Sequence, residues 1–205
     1  LHLGSLSTAL ASFLDARAHG GAWLLRIEDL DPPREQPGAT GRILQSLRAH
    51  ALHWDETELY QRERTGAYER VVVALLDGGD AFHCTCSRQD LHLDNGAHAA
   101  ACPRSRTAPA GESAIRLHAR GTSYRFSDIF LGGVELPGPA GTDDFVIRRR
   151  DGLYAYQLAV VIDDAFQGIT HVVRGRDLLE STPHQIFLRA RLGLAPVRYG
   201  HIPLL

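Results

Sequence analysis

Leu1-His2-Leu3-Gly4-Ser5-Leu6 opens the chain, and its reading decides the fold. A histidine, a glycine two residues on and a hydroxyl residue next stand at the head of a helical pattern. Leu6, Leu10, Phe13 and Leu14 follow at helical spacing, and Gly20-Gly21 marks the end. A helix N-terminus presents unpaired backbone N–H groups and the positive end of the helix dipole, which suits a phosphate. Glycine lets a flat base or a phosphate come close to the backbone, and the imidazole adds a hydrogen-bond donor. The same six residues also fit an ordinary capped amphipathic helix, and a motif this short does not separate the two.

Downstream, Ala22-Trp23-Leu24-Leu25-Arg26-Ile27 is a nearly continuous apolar run that predicts a buried strand of a parallel sheet. It ends in Glu28-Asp29-Leu30-Asp31-Pro32-Pro33. Ligands of open α/β sheets bind at the carboxyl ends of strands. Three acids at such an end are candidates for a cationic group or a metal, and equally for a solvated turn with capping carboxylates. Residues 39–52 and 65–77 carry helical patterns, the second closed by Gly78-Gly79, and Ala81-Phe82-His83 reads as a strand. This is half of a doubly wound α/β fold.

The 205 residues are 44% hydrophobic and 22% charged, enough for one or two domains with a real core. No apolar run is long enough to span a membrane, and no signal peptide is visible. A net charge of −2 does not advertise a nucleic-acid surface, although a local basic face is compatible with it. All 22 basic residues are arginine, which removes Schiff-base and P-loop lysine chemistry. A start without Met and a stop directly after an apolar run lead to the expectation that the chain is part of a longer protein.

Composition changes after residue 83. Residues 84–112 hold all three cysteines, several histidines and loop-forming Pro and Gly. Cys84-Thr85-Cys86 is followed by eleven residues, His98, three residues and Cys102. Four such ligands in a loop-rich segment fit a tetrahedral Cys3His zinc site that is structural. His83 and His92 compete for the fourth place, and three reduced thiols beside unrelated histidines are the other reading. Short strands are predicted at 114–118, 123–127 and 133–136, so residues 80–143 read as an insertion or small subdomain between two α/β halves, 1–79 and 144–205.

The α/β character returns with a strand at Phe145–Arg148 and a hairpin-type turn at Asp151-Gly152. Tyr154 to Val161 is apolar on most sides and leads to Asp163-Asp164. Ile169–Gly175 reads as a buried strand, residues 178–193 as a helix, and Gly200–Leu205 as one more strand. Glu28, Tyr156 and Arg174 all fall in or just beyond predicted strands. A carboxylate for an ammonium, an arginine for a carboxylate and a tyrosine hydroxyl between them would form an amino-acid pocket. A core aromatic and a surface ion pair are the plainer readings of Tyr156 and Arg174.

Four segments occur in order: His2-Leu3-Gly4-Ser5, Arg26-Ile27-Glu28-Asp29-Leu30-Asp31, Tyr154–Asp164, and Val172–Gln185 with its Arg174-Gly175-Arg176-Asp177-Leu178-Leu179 run. Together they resemble the catalytic domain of class I glutamyl-tRNA synthetases, across essentially the whole chain. His2-Leu3-Gly4-Ser5 looks like a variant of the HIGH signature, with Ser5 in place of the second histidine. The cysteine spacing and the Arg174–Leu179 run resemble in particular the shortened paralogues that lack an anticodon-binding domain. Their zinc motif carries a tyrosine where this chain has His98.

The resemblance implies a Rossmann-type parallel sheet with a small zinc-containing, strand-rich insertion. It implies ATP-dependent activation of glutamate, with Mg2+, and transfer of the glutamyl group to queuosine at the wobble position of tRNA(Asp). His2, Gly4 and Ser5 would hold ATP; Glu28, Tyr156 and Arg174 would hold glutamate; Cys84, Cys86, His98 and Cys102 would hold one structural Zn2+. It further implies a monomeric cytoplasmic enzyme. Charging of tRNA(Glu) by an ordinary glutamyl-tRNA synthetase, and a non-catalytic RNA-binding paralogue, are the alternatives. The family's Arg-rich stretch before HIGH is absent here. Its KMSKS signature would follow the Gly200–Leu204 strand, so these residues alone are expected to be catalytically incomplete.

Overall fold

The structure, a computed structural model, describes residues 1–93, 102–119, 123–137 and 144–203. In chain order the elements are α1 (Leu3–Ala18), β1 (Arg26–Ile27), α2 (Ala39–Ala49), β2 (Leu59–Tyr60), α3 (Thr65–Gly78), β3 (Ala81–Cys84) and α4 (Arg88–Leu93). Then come β4 (Ala114–Leu117), β5 (Ser123–Asp128), β6 (Gly132–Pro137), β7 (Val146–Arg148), α5 (Tyr156–Phe166), β8 (His171–Gly175), α6 (Thr182–Arg191) and β9 (Arg198–Ile202).

Among the described residues three sheets form. β1 and β2 pair in parallel, β3-β4-β7 is antiparallel, and the third runs β6-β5-β9-β8. In the third, β8 and β9 are parallel over five residue pairs, Val173 facing Gly200 and Arg174 facing His201. The antiparallel β5–β6 hairpin joins β9 through one parallel pairing, Asp128 with Tyr199.

The main core gathers Tyr68, Val72 and Leu75 of α3, Ile115 and Leu117 of β4, Ile147 of β7, Leu158 to Ile162 of α5 and Leu188 of α6. Burying each Val, Leu or Ile side chain among them contributes about 1.5–3 kcal/mol. A second cluster holds α1 and α2 together through Trp23, Leu47 and Leu52, with Leu6, Phe13 and Ile43 against them. A third joins Phe82 to Cys84 and Cys86, with Leu91 and Cys102 beside them.

Several local expectations change. Of the predicted strand at 22–27, only Arg26 and Ile27 pair as strand. The backbone before them is satisfied by a loop instead: Asp55 accepts from the Trp23 N–H through its carboxylate at 2.8 Å, and its own N–H donates to the Trp23 carbonyl at 2.8 Å. The partner strand β2 had no hydrophobic run to announce it. Tyr156 opens a helix rather than lying at a strand. Residues 158–164 are all buried, and a helix buried all round has the same continuous apolar pattern as a buried strand. The predicted helix at 178–193 starts as a 3-10 turn over Arg176–Ser181, and the α-helix begins at Thr182 with Pro183 in its first turn. Gly79 ends α3 in the left-handed conformation, φ 76°, its N–H bonding back to Leu76.

Candidate active site

Helix α1 starts at Leu3, two residues ahead of the hydroxyl residue read from the sequence, because His2 is the cap. Its Nδ1 accepts the Ser5 N–H at 3.2 Å. With Nδ1 an acceptor, Nε2 carries the proton and faces the Ser5 hydroxyl oxygen at 2.7 Å. Gly4 and Ser5 therefore sit inside the first turn. The N–H groups of Leu3 and Gly4 remain at the positive end of a sixteen-residue helix.

From there a cleft of about 370 Å³ runs between α1, β1 and β8. Ser5, Thr8 and Ser12 line one wall, Arg26 and Glu28 the floor, Asp164 and Gln167 the end of α5, and Val172 and Val173 the far wall. A neighbouring cavity of about 520 Å³ shares Leu25, Arg26 and Glu28. A larger cavity of about 600 Å³ lies between β5 and α6, lined mainly by Phe126, Ile129, Ile186, Leu194 and Pro196 with Arg189 and Arg198 at its edges. The conjunction of acids, arginine and a helix N-terminus is in the smaller cleft.

Of the three acids after β1, only Glu28 serves it. Asp29 is buried, accepts the Arg62 N–H at 2.9 Å and pairs with its guanidinium at 3.3 Å. Asp31 pairs with Arg149 at 2.9 Å and Arg34 at 3.4 Å. Glu28 keeps 43% of its side chain exposed, and among the described residues its ion pair is with Arg26, at 3.8 Å. Desolvation by the surrounding protein raises its carboxyl above the ordinary value. Asp164 and Asp163 add to the rise, while Arg26 and Arg174 oppose it. Arg26 itself donates to Asp164 and Gln167, each at 3.0 Å.

Arg174, at the carboxyl end of β8, is 6% exposed. Its Nε donates to His201 Nε2 at 3.0 Å, Nη1 to Gln185 Oε1 at 2.8 Å and Nη2 to Thr182 Oγ1 at 2.8 Å. All three acceptors are neutral, and among the described residues no carboxylate lies in ion-pair contact with it. Tyr156 stands beside it: desolvation raises its hydroxyl, Glu28 adds to this, and hydrogen bonding from Arg174 and Gln185 pulls it back. The structure thus brings Glu28, Tyr156 and Arg174 within electrostatic reach of one another, with negative charge from Glu28 and positive charge from Arg174. That polarity matches an amino acid's ammonium and a carboxylate.

The cysteines also converge. One sulfur from each of Cys84, Cys86 and Cys102 lies within 4.8 Å of the others. Burial pushes the Cys102 thiol up, but the Arg104 and Thr85 N–H groups and the thiols of Cys86 and Cys84 outweigh it and hold it below the ordinary value. Three sulfurs at this spacing fit a tetrahedral metal ion. His98 lies outside the described residues. His83 is engaged elsewhere, with Ser113 Oγ at 2.8 Å.

Sequence reading passed over Thr182, Gln185, His201 and Asp128 as site residues. Thr182 and Gln185 are the first and fourth residues of α6, and nothing in their spacing marks them. His201 carried a signal, a lone histidine in an apolar strand, but without a visible partner.

A family model described as tRNA synthetases class I (E and Q), catalytic domain, matches residues 1–205. The glutamyl-Q tRNA(Asp) synthetases of Pseudomonas putida and Pseudomonas aeruginosa are each 52% identical over 205 residues, matching 100% of this chain and 68% and 70% of their own lengths. Among solved structures, a glutamate tRNA ligase from Elizabethkingia meningosepticum, in complex with its amino acid, superposes with a TM-score of 0.84 at 26% identity. A glutamate-tRNA synthetase from Elizabethkingia anophelis gives the same score and identity. This chain is covered completely and spans 47% and 48% of those two chains.

Proposed function

The chain belongs to the family of class I tRNA synthetases (E and Q), catalytic domain, and from that membership we propose that the protein activates glutamate with ATP and transfers the glutamyl group to queuosine at the wobble position of tRNA(Asp). Its fold is the class I synthetase fold, Rossmann-like with parallel pairing. The names of the curated relatives support the substrate. The observation that carries the reading to this chain's own residues is Arg174, a buried cation whose bonded partners are all neutral. A guanidinium so placed favours an incoming carboxylate, since the pair forms away from water.

In this reading the glutamate ammonium lies at Glu28, and Arg174 with Tyr156 holds a carboxylate. The α-carboxylate attacks the α-phosphorus of ATP, the bond to the bridging oxygen breaks, and pyrophosphate leaves. A hydroxyl of queuosine then attacks the acyl carbon of the adenylate, its proton passes to the departing phosphate or to solvent, and AMP leaves with the mixed-anhydride oxygen. His2, Gly4 and Ser5 place the start of α1 against the phosphates, where the helix dipole and backbone N–H groups offset developing charge. Mg2+ accompanies the ATP as a neutralising ion. No protein nucleophile is required, and rate comes from positioning and charge stabilisation.

A Zn2+ would be held by Cys84, Cys86 and Cys102, with His98 as the fourth ligand, and would order the segment around them. Residues 80–143 would then be a zinc-binding insertion between the catalytic halves 1–79 and 144–205. No helix among the described residues is long and apolar enough to cross a membrane. A monomer acting in the cytoplasm completes the proposal.

The test gives the full-length protein ATP, labelled glutamate and tRNA(Asp) whose 3′ terminal CCA has been removed, with or without queuosine. Label that requires queuosine and tolerates loss of the CCA end is the expected result. Label confined to tRNA(Glu) with an intact CCA end would overturn it in favour of ordinary charging. Absence of both label and adenylate would leave a non-catalytic protein.

A further inference from the structure

His201 is fully buried and bridges two charged groups. Its Nε2 lies 3.0 Å from Arg174 Nε and its Nδ1 lies 2.6 Å from Asp128 Oδ2. An arginine can only donate, so Nε2 must accept; the imidazole proton then resides on Nδ1 and is donated to Asp128. Asp128 has no freedom to do otherwise. Its other oxygen, Oδ1, accepts the N–H groups of Phe130 at 3.0 Å, Leu131 at 3.0 Å and His201 at 3.1 Å. Oδ2 alone faces the ring.

The turn that carries Asp128 is seated against β9 beside this histidine. A Cβ at Gly200 would stand 2.9 Å from the Phe130 ring and 3.2 Å from Ile129 Cβ. The hairpin therefore reaches Arg174 through two side chains, Asp128 and His201, and the Thr182 hydroxyl also lies 3.2 Å from His201 Nε2. Arg174 has five N–H groups. His201, Gln185 and Thr182 take three, which leaves one on each Nη, the pair that Tyr156 and a bound carboxylate would share.

We propose that Asp128 and His201 are positioning residues for glutamate: they fix the tautomer and the place of the acceptor that aims the Arg174 guanidinium, and so set affinity for the acidic amino acid from the β5–β6 turn. This rests on the reading of Arg174 as a glutamate-binding residue. A direct Asp128–Arg174 pair would neutralise the guanidinium. An imidazole between them holds it in place and leaves its outward face to the substrate.

The decisive variant is Asp128→Asn, which is isosteric. The three backbone N–H groups keep Asn Oδ1 where Oδ1 was, so the amide NH2 takes the Oδ2 place. That NH2 donates to His201 Nδ1, moves the ring proton to Nε2 and sets two donors against each other at Arg174. In adenylate formation by the full-length protein, KM for glutamate should rise about tenfold or more, with KM for ATP unchanged. The nitrogen-15 shifts of His201 should report the exchanged tautomer. His201→Asn, which keeps a donor for Asp128 but loses the acceptor for Arg174, should raise the glutamate KM similarly. His201→Gln, which can return an acceptor to Arg174, should recover part of the loss, and it also serves if Asp128→Asn does not fold. Wild-type glutamate KM in Asp128→Asn, or equal increases for glutamate and ATP in step with lost stability, would overturn the proposal. Wild-type protein that forms no glutamate-dependent adenylate would instead overturn the functional reading beneath it.

Discussion

Asp163 and Asp164 are neighbours on α5, and their carboxylates belong to different networks. Asp163 is fully buried and accepts from Tyr68 Oη at 2.5 Å, Gln61 Nε2 at 2.9 Å and Arg64 Nε at 3.0 Å. Asp164 accepts from Arg26 at 3.0 Å at the edge of the cleft. One acid ties the helices together; the next supports the site.

Asp163→Ala is therefore expected to act on stability. It strands a buried tyrosine hydroxyl, a buried amide and a guanidinium, a loss of about 3–5 kcal/mol on the scale of broken buried ion pairs. Chemical denaturation of the variant against wild type measures it. A change below about 1 kcal/mol, the level of a surface ion pair, would contradict the assignment.

Glu28→Gln is expected to do the reverse. The side chain is 43% exposed and its one ion pair is long, at 3.8 Å, so the melting temperature should hold. Loss of a charged partner for the substrate ammonium should lower kcat/KM for glutamate by about 10- to 100-fold. Steady-state kinetics with varied glutamate and saturating ATP separates the two effects.

Cysteine substitution should affect the metal and the third core cluster together, because Cys84 and Cys86 pack with Phe82. Purified protein should carry about one zinc per chain. Cys86→Ser should abolish it and lower the melting temperature, whereas a chelator should do so in wild type only. Elemental analysis beside thermal unfolding checks both.

The His201 imidazole has its pKa held below its ordinary value of 6.5. Burial is the largest cause and Arg174 adds to it, against the opposing pull of Asp128 and Asp177. The unfolded chain thus binds a proton before the folded one does. The stability this gives is complete above about pH 6.5 and is lost as pH falls from there toward the depressed folded value. Urea titrations across that window should show the decline in wild type and a shallower one in His201→Gln.

Gly79 ends α3 in the left-handed region, φ 76°, and a Cβ there would meet the Arg106 guanidinium. Gly79→Ala should destabilise by about 1–2 kcal/mol, read from the shift of the denaturation midpoint.

The segments that decided the family were local and contiguous. The His2–Ser5 opening, the Arg26–Asp31 strand end and the Val172–Gln185 run each hold their functional groups in one short contiguous stretch. The sequence by itself therefore determined membership, α/β class and parallel pairing, and it named Glu28, Tyr156 and Arg174. It could not tell a helix from a strand at Tyr154–Val161, because residues 158–164 are buried throughout and show no periodicity. Composition and spacing, without the resemblance, did not separate Glu28 from Asp29 and Asp31 either. Three acids in one short stretch look alike until Arg62, Arg34 and Arg149 are seen to occupy two of them.

Only the tertiary structure decided what surrounds Arg174. Asp128, Thr182, Gln185 and His201 come from three separate elements, with 73 positions between Asp128 and His201. A hydrogen bond acts over about 3 Å and leaves no spacing rule when its partners meet only through sheet pairing. Periodicity records which face is buried. Partnership between buried polar groups depends on the register of β8, β9 and the β5–β6 hairpin, which exists only once the chain has folded.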